Sequence, residues 1–168
     1  MITYGIYEDL EQLDNLTIEV IEDMAKSNIP QWSIGYPAST HFKKDIELKA
    51  LYVYKEKNNV LGSITVLPED DPPYKTINSW IKDKSIVIHR MLVSPNARNI
   101  GVASKLLNKA IEIGINGNFE SIKTDTHLEN YKMRNFLKKN GFIELDYLET
   151  IDRIAYEKIL EDKWWKNY

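Results

Sequence analysis

The segment SIVIHRMLVSPNARNIGVASKLLNKAIEIG, residues 85 to 114, restricts the fold more than any other stretch of this chain. It opens on a run dense in β-branched and long apolar side chains, which predicts a strand. Val102, Leu106, Ala110 and Ile111 then fall on one helical face, with Ala103, Leu107 and Gly114 beside them. A strand, a tight loop and a helix in this order leave several backbone N–H groups free at the helix start, where the helix dipole adds partial positive charge. An anion binds there without a basic side chain. The loop SPNARNIGVA holds one glycine, Gly101, and satisfies neither GxGxxG nor GxxxxGK[ST]. Dinucleotide and nucleoside triphosphate readings therefore fall.

The flanking segments extend the pattern. Leu10, Leu13, Leu16, Ile18, Val20, Ile21 and Met24 recur at mostly three-to-four spacing and predict a helix over residues 8 to 28. Proline and glycine punctuate the aromatic-rich loop NIPQWSIGYPAS that follows. Residues 50 to 55 and 60 to 67 read as strands of a hairpin, joined by a turn at Lys57-Asn58-Asn59. EDDPPYKTINSW is irregular, SIKTDT reads as a strand, and NYKMRNFLKK as a helix closed by Asn140-Gly141. FIELDYLETIDRIAYEKIL predicts a last hairpin turning near residues 150 to 152, and EDKWWKNY carries no pattern. Alternation in the second half with hairpins at either side predicts a mixed sheet in an α/β or α+β domain. With 168 residues and neither repeat nor linker, one domain over 1–168 is expected.

Composition removes several function classes. A net charge of −3 gives no general attraction to nucleic acid. The absence of cysteine excludes disulfides, a cysteine nucleophile and thiolate metal sites. His41, His89 and His127 lack HxxxH spacing, so no metal is expected. No window approaches the roughly 20 apolar residues of a membrane helix, and MITYGIYEDLEQLD lacks the order of a signal peptide. A cytoplasmic protein with no membrane partner is expected. The charge is uneven: acids crowd residues 8 to 26, and Lys132, Arg134, Lys138 and Lys139 form a basic run. Such runs serve either as solvated faces or as sites for a local ionic partner.

Arg98, Asn99, Ile100, Gly101, Val102 and Ala103 form RxxGxA, and with the preceding strand this resembles the coenzyme A loop of the GNAT superfamily of N-acetyltransferases. The similarity continues through SIKTDTHLENYKMRNFLKKNGF, covering about residues 85 to 142. It implies a mixed, mostly antiparallel central sheet flanked by helices and splayed at the cofactor-binding strand. It also implies acetyl-CoA as cosubstrate: Met91, Leu92 and Val93 would meet the pantetheine arm by their peptide groups, and Arg98 to Ser104, Ala103 included, would wrap the pyrophosphate. Gly101, lacking a Cβ, would let the backbone approach closely. Asn130 matches the family's residue beside the pantetheine or acetyl region, and it equally suits a helix N-cap.

Direct acetyl transfer needs a deprotonated amine, a polarised carbonyl and an acid for the departing thiolate. By the resemblance, a backbone N–H near Leu92 or Val93 polarises the carbonyl. Asp125, five residues before Asn130, is a candidate base or a structural carboxylate. His89 is a second candidate through water, or a structural histidine. The family's tyrosine before Gly-Phe is here Leu137, which leaves Tyr131 or water as the acid. Trp32, Tyr36 and Tyr147 would frame an amine acceptor, although Trp32 also suits a core position. The acceptor stays open among polyamines, amino sugars, amino acids, and a protein N-terminus or lysine. The resemblance implies a homodimer by analogy alone. Because of Leu137, a non-catalytic acyl-CoA-binding regulatory module is the alternative.

Overall fold

A computed structural model describes residues 1–68 and 71–161 of the chain. Glu69 and Asp70 of the irregular segment, and residues 162–168 of EDKWWKNY, lie outside them. The elements in chain order are β1 (Ile2–Tyr4), α1 (Leu10–Lys26), α2 (Ser39–Glu47), β2 (Leu51–Glu56), β3 (Asn59–Leu67), β4 (Ser85–Val93), α3 (Val102–Asn116), β5 (Ser121–Thr126), α4 (Tyr131–Lys139), β6 (Ile143–Leu148) and β7 (Arg153–Ile159). The strands form one sheet in the order β1-β2-β3-β4-β5-β7-β6. Every pairing is antiparallel except β4 with β5.

That parallel pair is short. Ser85, Ile86 and Val87 align with Ser121, Ile122 and Lys123, after which the two strands part. A bulge accompanies the divergence: between the pairs Thr65↔His89 and Ser63↔Leu92 strand β4 carries one residue more than β3, and Arg90 takes φ +48°. A bulge of this kind bends its strand and re-aims the residues beyond it. The sheet thus opens into a wedge at its centre.

Alternation along the strands supplies two apolar faces. Tyr52, Tyr54, Ile64, Ile86 and Ile122 pack with Leu106, Leu107 and Ala110 of α3 and Leu137 of α4. On the other face Leu51, Val53, Val60 and Leu92 meet Leu13, Leu16 and Val20 of α1 and Phe42 of α2. Helix α3 comes close to the sheet at Gly62, where a Cβ would lie 2.8 Å from the Leu92 carbonyl oxygen and 2.9 Å from Val102 Cγ1.

The sequence reading misses two elements. Strand β1 has only three residues. Helix α2 is nine residues long and buries only Phe42 and Asp45, too few apolar positions for a period to stand out. The first helix begins later than expected, with a 3₁₀ turn at Tyr7–Asp9 before Leu10. The β2–β3 turn is tighter than expected as well, because Lys57 and Asn58 both have positive φ and close a two-residue hairpin loop before Asn59.

The acidic face of α1 is not simply solvated. Buried Asp9 lies 2.6 Å from Lys55 Nζ, Asp14 accepts from Ser39, Glu19 from Ser94 and Asp23 from Arg98. The irregular segment before β4 is held by Glu157, which is fully buried on β7. Its carboxylate accepts from the Ile81 and Lys82 N–H groups at 2.6 and 3.0 Å and from Ser121 Oγ at 2.6 Å. Trp80 Nε1 then donates to the Tyr74 carbonyl at 2.7 Å, which fixes the turn that carries Tyr74.

Replacing Gly62 with alanine is expected to lower stability by about 1–3 kcal/mol through overpacking against β4 and α3. Chemical denaturation of Gly62→Ala beside the parent chain checks this.

Candidate active site

The loop before α3 is shaped by two left-handed residues, Asn99 at φ +66° and Gly101 at φ +80°. A Cβ on Gly101 would meet nothing within 4 Å, so within the protein the glycine answers to its backbone angle rather than to crowding. The first bond of the helix runs from Lys105 N–H to the Gly101 carbonyl at 3.0 Å. The N–H groups of Val102, Ala103 and Ser104 precede it and point out of the helix start. They border a cavity of about 560 Å³ that reaches Arg98, Asn99 and Asn130, with Lys132 and Lys139 at its rim. Ile100 is half exposed and lies outside that lining.

Charge at the mouth is organised by α1. Arg98 forms a two-pronged pair with Asp23, and Lys132 Nζ lies 3.4 Å from the same carboxylate and 3.0 Å from Ser27 Oγ. The Arg98 hydrogen bond holds the Asp23 carboxyl below its usual range. Asn130 does cap α4, accepting from Met133 N–H at 3.1 Å, while its amide donates to Gln31 Oε1 at 2.7 Å. It also lines the cavity, so capping and a ligand contact are compatible.

Strand β4 supplies the next feature. Ser94 N–H donates to the Leu61 carbonyl at 2.9 Å on the β3 side. By strand alternation the Leu92 N–H faces β3 as well, whereas those of Met91 and Val93 face the wedge. Leu92 is fully buried against the α1 layer. Of the two residues expected near the donor, Leu92 thus turns its N–H to β3 and Val93 to the wedge, with Met91 beside it.

A second cavity of about 340 Å³ lies on the far side of the wedge and shares Met91 and Met133 with the first. Trp32 and Tyr36 form one wall, His89 and Asp125 stand on the facing strands, and buried Leu137 lines the cavity too. Asp125 accepts from Tyr74 Oη at 2.7 Å and lies 3.8 Å from Arg153 Nε. Burial raises its carboxyl pKa, against the opposing pull of Tyr74, His89 and Arg153. His89 Nε2 is 3.6 Å from Asp71 and has no hydrogen-bond partner among the described residues. Burial lowers the pKa of its imidazole, which favours the neutral form.

Two expected residues are not brought to this place. Tyr131 begins α4 on its exposed side and lines neither cavity, because the helix turns it away from Leu137. The hydroxyl of Tyr147 is bound to Asp152, and Tyr147 lines neither cavity; Ile151 and Arg153 line the second one instead. Three contributors escaped the sequence reading. Tyr74 sits in the irregular segment, Arg153 in the hairpin, and Gln31 beside Trp32 accepts from Thr126 Oγ1 at 2.7 Å, His127 N–H at 3.2 Å and Asn130. The proline and glycine of its loop marked the loop and not Gln31 itself. Among the described residues no group of three or more metal-ligating side chains is clustered.

The sequence pattern of the Acetyltransferase (GNAT) family matches residues 18–142. The chain belongs to the GNAT acetyltransferase family. A structure from Staphylococcus aureus MU50, named as a candidate acetyltransferase, is 30% identical, with 96% of this chain and 99% of that one covered at a TM-score of 0.76. A GNAT-family acetyltransferase from Streptococcus agalactiae 2603 is 25% identical, covers 96% of each chain and superposes at a TM-score of 0.86. One from Listeria monocytogenes 4b F2365, 18% identical at a TM-score of 0.77, shares the fold. The mixed sheet, five antiparallel pairings and one parallel, is the GNAT architecture. Acyl transfer follows as the general activity of this GNAT chain.

The depressed pKa of His89 has a definite sign for stability. The folded state resists the proton that the unfolded chain accepts near the ordinary value of 6.5, so this contribution is present above that value and lost as pH falls through the depressed one. Asp125 acts oppositely: its raised value contributes stability below the ordinary 3.8, lost as pH rises through the raised value. Thermal midpoints of the parent chain should therefore drop more steeply between about pH 7 and pH 5 than those of His89→Asn.

Proposed function

We propose that this chain is an N-acetyltransferase that moves an acetyl group from acetyl-CoA directly to a small primary amine. The observation that carries the reading is the meeting of two cavities at Met91 and Met133, beside the outward N–H groups of Met91 and Val93. Acetyl-CoA supplies an activated thioester. The chain's own groups then divide the work: the first-turn N–H groups of α3 hold the pyrophosphate, and Met91 or Val93 donates to the acyl carbonyl.

On the acceptor side, Trp32 and Tyr36 offer an apolar wall to the amine, and the volume suits a small amine or one lysine side chain. The ammonium gives its proton to Asp125 or His89, directly or through water. The amine nitrogen bonds to the acyl carbon, the carbon–sulfur bond breaks, and the proton that the nitrogen then sheds passes through water to the thiolate, because Leu137 has no hydroxyl to supply one. The raised pKa of Asp125 improves it as a proton acceptor. Leu137 also motivates the second reading, an acyl-CoA-binding regulatory module without catalysis.

Acetyl-CoA is expected to raise the thermal midpoint, and at least one member of an amine panel should release free thiol. Asp125→Asn should lower kcat by about 10²–10⁴-fold while the acetyl-CoA shift persists. No shift at saturating acetyl-CoA would overturn both readings, and a shift without thiol release across the panel would favour the regulatory module.

A further inference from the structure

The bulge in β4 is held by a buried polar clamp that the proposed chemistry does not use directly. Arg90 adopts φ +48°, a left-handed conformation uncommon for a long side chain. Its guanidinium meets Asp45 of α2 in a two-pronged pair, Nη2 to Oδ1 at 2.6 Å and Nε to Oδ2 at 3.0 Å. Thr65 Oγ1 of β3 donates to the same Oδ2 at 2.7 Å. Asp45 is 1% exposed and Thr65 fully buried, and Thr65 pairs with His89, the last residue in register before the bulge. Three elements are thereby tied at the one residue where β4 changes direction.

A buried ion pair of this kind contributes little net stability, since apolar side chains of like volume do as well or better. Its fixed, planar geometry is what apolar packing lacks. The residue it fixes is followed directly by Met91, whose N–H turns into the wedge only because the bulge shifts the alternation by one. We propose that Arg90, locked by Asp45 and Thr65, is a positioning residue for acyl transfer, holding the bulge so that the Met91 and Val93 N–H groups aim at the acyl carbonyl. This rests on the reading that those groups meet that carbonyl.

Coenzyme A lacks the carbonyl, so the ratio of its dissociation constant to that of acetyl-CoA reports the aim of the donors. A merely structural clamp would lower the thermal midpoint and leave that ratio unmoved. The test is calorimetric titration with both ligands, together with thiol-release kinetics, on the parent chain, Thr65→Val, Arg90→Lys and the double variant Asp45→Leu with Arg90→Met. The double variant removes the clamp without stranding a charge, and Thr65→Val loosens it with almost no change of shape. The parent should prefer acetyl-CoA. In the double variant and Arg90→Lys the ratio should fall toward one because acetyl-CoA binds more weakly while the coenzyme A affinity is held, and kcat should fall by about 10²-fold. Thr65→Val should move both in the same direction by less. A variant that binds coenzyme A like the parent yet keeps its ratio and kcat overturns the clamp's role alone. A parent chain that binds neither ligand overturns the acetyltransferase reading and this inference with it.

Discussion

The short parallel contact between β4 and β5 governs the rest of the structure. Three aligned residue pairs are enough to join the two halves of the sheet, and the separation that follows leaves peptide groups of β4 without a neighbouring strand in the middle of the protein. Such groups are costly when buried and unpaired, so strands that end pairing early are normally found at edges. Here the cost is confined to a wedge open to both cavities. A ligand whose amides and carbonyl lie along β4 would complete the interrupted sheet.

Much of this was legible in sequence because the decisive parts are local. The strand from Ser85, the loop around Gly101 and the helix from Val102 each carry their own periodicity or backbone requirement, and they are contiguous. The basic run on α4 was legible as charge, and its partners were not: Arg134 and Lys138 meet Glu144 on β6, whereas Lys132 turns to Asp23 on α1. A charge pattern along one helix says nothing of which element faces it.

What escaped is non-local and polar. Tyr74 reaches Asp125 across 51 positions, and Asp45 meets Arg90 across 45. Neither contact leaves a period in the sequence, since each depends on one side chain delivered by a short or irregular element. Arg90 lies inside a strand that reads as regular, because a bulge adds one residue without any mark in residue type. Tyr131 and Tyr147 lie outside both cavities for the complementary reason. Nearness in the chain does not fix direction: the rotation of α4 turns one outward, and the other is bound to Asp152.

Gln31 bears on how such a site can diverge. Its Oε1 accepts from Thr126, His127 and Asn130, so donors from the end of β5 and the cap of α4 converge on one atom. Rotating the amide would set its own N–H group against those donors, which locks the side chain in one orientation. The Gln31 carbonyl meanwhile accepts from Arg153 at 2.7 Å. The loop is therefore pinned at its root, and beyond it Trp32 packs against the α1 layer and Tyr36 edge-on against His41. Selection for another ligand would have to keep those contacts while reshaping the wall they present, and position 31 is held by every donor it satisfies.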